Sequence, residues 1–92
     1  MSTQTKQFPT GRLVGTPGVL DTVGIEEMVS AFNRHSKGDW GDVCPEDWRS
    51  NDRAIQNGGR IFSAYHSKEG QKFWIITGAD RTSTTILLPD EY

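Results

Sequence analysis

The run His35-Ser-Lys-Gly-Asp-Trp-Gly-Asp-Val-Cys-Pro-Glu-Asp47 packs a helix stop, a bulky aromatic, two glycines and four carboxylates into one connection. Upstream of it, Ile25, Met28, Val29 and Phe32 fall at i, i+3, i+4 and i+7, the stripe of an amphipathic helix. Glu26 and Glu27 in its first turn and Arg34, His35 and Lys37 near its end complement the helix dipole, and Gly38 suits the left-handed position beyond the last turn. Downstream, a second helix is predicted from Pro45 to Gln56, with Glu46 and Asp47 at its start and Asn57-Gly58 as its stop. Its apolar stripe is thin: Trp48, Asn51 or Asp52, and Ile55. The connection is therefore either a rigid corner that seats Trp40 in the core, or a loop that presents His35, Asp39 and Asp42 to something outside.

Working outward, the last third changes character. Arg60 to Ser67, Lys72 to Thr77 and Ser83 to Leu88 are rich in β-branched and aromatic residues and are separated by turn-like segments, which predicts a three-stranded antiparallel meander. Alternation sets Ile61, Ser63 and Tyr65 against Phe62, Ala64 and His66 on the first strand, and Phe73, Ile75 and Thr77 against Trp74 and Ile76 on the next. Large apolar groups occur on both faces, so the outer face is expected to meet an N-terminal strand, the Phe8 segment or a second subunit in a homo-oligomer. Toward the N-terminus, Gly11 to Thr16 reads as a short strand, and Thr16-Pro17 as an N-cap followed by proline in the first turn. Residues 1–10 read as a flexible arm that docks through Phe8. Residues 11–92 form one α+β domain, two main helices packed on a three- to four-stranded antiparallel sheet.

At 92 residues, with three Trp, four Phe and two Tyr, the chain has material for one modest core. Its formal charge of -2 and its scattered Lys and Arg give no electrostatic footprint for generic nucleic-acid binding. The single cysteine, Cys44, excludes an internal disulfide, and no Cys/His spacing suggests zinc. Neither a signal-peptide core nor an apolar stretch of about 20 residues is present, so a cytoplasmic protein without membrane contact is expected. The phosphate-binding, dinucleotide, serine-hydrolase and zinc-protease signatures are absent, and no cofactor is implied.

Chemistry, if there is any, lies in His35, Asp39, Trp40 and Asp42, with Asp80 and Arg81 as a second polar pair. Convergent lone pairs from His35, Asp39 and Asp42 suit a divalent metal or acid–base work. In the structural alternative, Asp39 satisfies loop N–H groups, Asp42 caps the second helix, His35 favours a helix end and Trp40 fills the core. Asp80-Arg81 either braces its turn or grips an anion. Cys44 is read as a buried, inert thiol and His66 as a surface strand residue. We favour the latch over the active centre.

Several spaced motifs together carry a resemblance: Gly15-Thr-Pro-Gly18, Arg34-His35 with Gly38-Asp-Trp-Gly-Asp42, Ser63-Ala-Tyr65, Trp74-Ile-Ile-Thr77, Ala79-Asp-Arg81 and Thr84-Thr-Ile-Leu-Leu-Pro-Asp-Glu-Tyr92. The chain resembles, from Gly11 onward, a family of small bacterial proteins found on plasmids and integrative elements. Some of these carry a restriction-modification subunit label that so short a chain cannot justify. This chain is shorter than the family pattern between Leu20 and Met28, and has Pro45 where an acidic residue is common. The resemblance implies an accessory protein of mobile elements that acts by binding another protein, with anti-restriction or another host interaction as its setting. The alternative is a small metal-dependent or acid–base enzyme using His35, Asp39, Asp42, Asp80 and Arg81.

Overall fold

The chain orders its elements as β1 (Arg12–Gly15), α1 (Pro17–Thr22), α2 (Ile25–Ser36), α3 (Pro45–Asn57), β2 (Ile61–His66), β3 (Lys72–Thr77) and β4 (Ser83–Leu87), closed by a 3₁₀ turn, Pro89–Glu91. This is an α+β fold, seen in a computed structural model that describes residues 8–92. Residues 1–7 of the expected arm lie outside the described residues. No described helix is long and apolar enough to cross a membrane.

The sheet runs β1-β4-β3-β2. The predicted meander is present, with Ile61 opposite Thr77 and His66 opposite Lys72 in one antiparallel pair and Trp74 opposite Leu87 in the next. One part of the expectation needs correction: β1 joins β4 in parallel, Arg12 facing Ser83 and Gly15 facing Ile86, so the sheet is mixed. All the other strands and all three α-helices lie between these two in sequence, so no hairpin forces them antiparallel. Local chemistry sets the element ends. The Thr16 hydroxyl accepts the Val19 N–H at 3.5 Å at the start of α1, and Gly38 (φ 87°) follows α2.

One sheet face is buried under α1 and α2, where Val19, Val23, Met28 and Ala31 pack on Tyr65, Phe73, Ile75 and Ile86. The period of α2 is as predicted but its phase is not. Its buried residues are Met28, Ala31 and His35, while Ile25 and Val29 stand 68% and 52% exposed. Rotating the helix this way gives up two aliphatic contacts and brings His35 over the sheet. A second cluster gathers Trp40, Ala54 and Ile61, flanked by Phe8, Val43, Trp48 and Ile55.

The connection between α2 and α3 is a corner, and it also closes a sheet edge. The Ala64 N–H donates to Trp40 O at 3.2 Å and Ala64 O accepts the Asp42 N–H at 2.7 Å, so the loop pairs with β2. Gly41 is obligatory between them, since its φ is 73° and a Cβ there would lie 2.1 Å from Ala64 O. Further along the same strand, Asn51 of α3 donates through Nδ2 to Phe62 O at 2.6 Å and accepts the Phe62 N–H at 3.1 Å. An amide side chain thus stands in for a neighbouring strand. At the opposite edge, no described strand lies beyond β1.

Candidate functional site

His35 is 0% exposed and heads a row of hydroxyls that crosses the sheet. Its Nδ1 lies 2.5 Å from Ser63 Oγ and its Nε2 2.8 Å from Thr77 Oγ1, Thr77 Oγ1 is 2.7 Å from Thr84 Oγ1, and Thr84 donates to Thr10 O at 2.7 Å. The direction of the chain follows from its end. A carbonyl only accepts, so Thr84 gives its proton to Thr10, Thr77 donates to Thr84, and His35 donates from Nε2–H to Thr77. Nδ1 is then the acceptor of the Ser63 O–H, and His35 is the neutral Nε2–H tautomer. Burial holds its pKa down at about 3. The Ser63–His35 pair has the connectivity of an activated nucleophile, but Ser63 is also 0% exposed, so no substrate reaches it.

Asp39 turns away from His35. Its carboxylate takes both Nε (2.8 Å) and a terminal nitrogen (3.3 Å) of Arg34 and the Gly41 N–H at 3.2 Å, and the Arg34 guanidinium holds its carboxyl below the usual range. Arg34 lies over the Tyr65 ring, whose hydroxyl donates to Asp39 O at 2.7 Å. Trp40 is fully buried and donates Nε1–H to Asp52 at 3.0 Å. Asp42 does not cap α3. The N-cap is Cys44, without a side-chain bond, and the exposed Asp42 lies 3.3 Å from Nδ1 of His66. Cys44 itself is exposed, against the expectation of a buried thiol.

Asp80 accepts the Thr82 N–H (3.1 Å) and hydroxyl (2.8 Å), which lower its pKa. Arg81, held at φ 61°, donates to Gly59 O (2.6 Å), Gly78 O (3.0 Å) and Ala54 O (2.8 Å), tying the end of α3 to the β3–β4 turn. Its guanidinium carbon is 5.7 Å from the Phe8 ring, and Phe8 in turn contacts His35 and Trp40. The corner and the Asp80-Arg81 turn are therefore linked through Phe8, but their polar atoms bind backbone and one another. Among the described residues no three His, Cys, Asp or Glu side chains are grouped to hold a metal.

Two of the open surfaces are lined mainly by large apolar or aromatic side chains. Leu13, Leu20, Ile25 and Val29, each about half or more exposed, rim a groove of about 220 Å³ floored by Met28, Phe32 and Ile86. On the other sheet face, Phe62, Trp74, Tyr92 and Arg60 line a cleft of about 290 Å³ against Asp47 and Ser50 of α3. The alternation of Phe62, Trp74 and Ile76 marked the second surface in the sequence, and the phase of α2 hid the first. No family model, curated protein or solved structure matches the chain.

Proposed function

We propose that this is a non-enzymatic accessory protein that acts by binding another protein. The observation that carries the reading is the apolar groove beside the edge of β1, beyond which no described strand lies. Leu13 on the strand is 48% exposed, and Leu20, Ile25 and Val29 continue the patch on the same side, whereas Val14 alternates to the opposite sheet face. A contiguous apolar surface of this kind is the usual mark of a protein contact, and a strand without an outer neighbour offers its N–H and C=O groups to an extended segment. The partner we infer is one that adds such a segment to β1 and places its apolar side chains in the groove. The motif resemblance to plasmid-borne proteins supports a mobile-element setting, with anti-restriction as one form of host interaction. A cytoplasmic site of action goes with the lone Cys44, an exposed thiol.

The test uses Ile25→Glu and Val29→Glu, both on the exposed side of α2. Capture from a host extract is expected to recover a partner with the wild type and to lose it with each variant, at unchanged melting temperature. Light scattering on the purified protein distinguishes a foreign partner from a second copy. If both variants retain the same partner as the wild type, the groove is not the contact surface.

A further inference from the structure

The sheet face turned away from α1 and α2 is built for a different kind of ligand. Register places Phe62 opposite Ile76 and Ala64 opposite Trp74, so the two large rings are diagonal neighbours on adjacent strands. Their centroids are 5.0 Å apart at 78°, and Tyr92 stands over Trp74 at 5.8 Å and 71°. Arg60 closes one end of the cleft, donating to the Tyr92 hydroxyl at 2.5 Å with its guanidinium carbon 5.8 Å from that ring. Asp47 and Ser50 form the opposite wall. Trp40 has its indole N–H paired with Asp52, whereas the indole N–H of the half-buried Trp74 meets no acceptor among the described residues.

We propose that this cleft binds a nucleotide in single-stranded form, the base packed on Trp74 and Phe62 beneath Tyr92 and the phosphate held by Arg60. Three arguments select this ligand. Aromatic rings on neighbouring strands give a base its π-face contacts without regard to sequence. Arg60, which lies against Tyr92, presents a planar fork suited to phosphate oxygens, and Asp47, the other charged residue of the lining, comes from α3. Asp47 and Ser50 offer an acceptor and a hydroxyl to the edge of a base.

Charge distribution agrees. The strand residues that alternation assigns to this face include Arg12, His66 and Lys72 and no carboxylate, although the chain as a whole carries -2. His66 is taken by Asp42, but Lys72 is two residues from Trp74 on the same face, about 7 Å along the strand. The negative net charge that disfavours a duplex backbone is no obstacle to one base and one or two phosphates.

The experiment is a titration of the isotope-labelled full chain, followed at the three Trp indole N–H signals. The probes are single-stranded DNA and RNA homopolymers of about eight nucleotides, a size matched to one small platform, with mononucleotides and inorganic phosphate alongside. The Trp74 signal is expected to move saturably with base-bearing ligands, not with phosphate, while Trp40 stays in place. Stronger binding of the oligomers identifies a strand as the source, and equal binding by mononucleotides a free nucleotide. Arg60→Gln, on the surface, should weaken binding about ten-fold and lower the salt slope by about one. Trp74→Leu should also cost about ten-fold, and Tyr92→Ala provides a readout if that variant folds poorly. The proposal is overturned if no nucleotide ligand moves Trp74 up to about 1 mM, beyond the range of weak non-specific binding. It is equally overturned if Arg60→Gln binds as the wild type does, or if only a peptide occupies the cleft. The apolar groove on the opposite side is untouched by any of these results.

Discussion

At the residue scale, His35 gives the sharpest consequence. Its folded pKa of about 3 lies below the ordinary 6.5, so below pH 6.5 the unfolded chain takes up a proton that the folded chain refuses. The stabilisation is complete above pH 6.5 and is lost as the pH falls toward 3, at up to about 1.4 kcal/mol per pH unit. Urea unfolding should show a loss of about 2 kcal/mol between pH 6.5 and pH 5. His35→Asn, less stable throughout, should be flat over that interval, and an equal slope in both proteins would assign the titration elsewhere. Asp39 acts in a lower window: its depressed pKa supplies stability present above about 3.8 and lost as the pH falls through the folded value. Arg81 braces its turn, one of the two roles its sequence position left open. Arg81→Met removes the side-chain donor of Gly59 O and a second donor from Ala54 O and Gly78 O, which keep the Gly58 and Arg81 N–H groups, and should cost about 1–3 kcal/mol. Arg81→Lys should recover only part of this, because an ammonium cannot span the fork; urea midpoints at constant m-value measure both. An arginine in a turn looks the same in sequence whether it faces solvent or carbonyls. The residues of the corner were legible as special, but their partners, Ser63, Thr77 and Thr84, are distant strand residues that no local pattern connects to His35.

At the element scale, the β2 edge shows why helix α3 lies where it does. Asn51 is 3% exposed and pairs with both backbone groups of Phe62, so Asn51→Leu leaves an N–H and a C=O buried without partners. The expected cost is about 2–4 kcal/mol, with faster hydrogen exchange at Phe62 as the local signature. Exchange unchanged at Phe62 would mean that another group covers the edge. Gly41→Ala should be at least as damaging, since its Cβ meets Ala64 O and its φ is left-handed. The sequence showed Asn51 on the thin stripe of α3 but not why an amide belongs there; only the strand beside it supplies the reason. For α2 the period was legible and the phase was not. An aliphatic stripe through Ile25 and Val29 and a mixed one through Met28, Ala31 and His35 fit the same spacing, and a buried polar row decided between them.

At the scale of the whole molecule, the two ends of the described chain meet because β1 docks beside β4, and Glu91 fastens the join. Its carboxylate accepts the Thr16 hydroxyl (2.5 Å), the Leu88 N–H (3.0 Å) and the Gly18 N–H (2.8 Å), and these bonds lower its pKa. Strand propensities predicted both segments but not their parallel pairing, which no short loop dictates. Gly18 allows a test of the clasp that turns on sign rather than size. A Cβ at Gly18 would lie 2.5 Å from Glu91 Oε2, so Gly18→Ala in the wild type should displace the carboxylate and lower the melting temperature. With Glu91 already replaced by Ala nothing remains to be displaced, and alanine in the first turn of α1 is the better helix former, so the same substitution should raise it. The Thr16 amide, bonded to Ile86 O at 3.0 Å, reports the state of the join by hydrogen exchange. If Gly18→Ala changes stability equally in both backgrounds, the clasp contributes nothing and the β1–β4 pairing holds the ends alone.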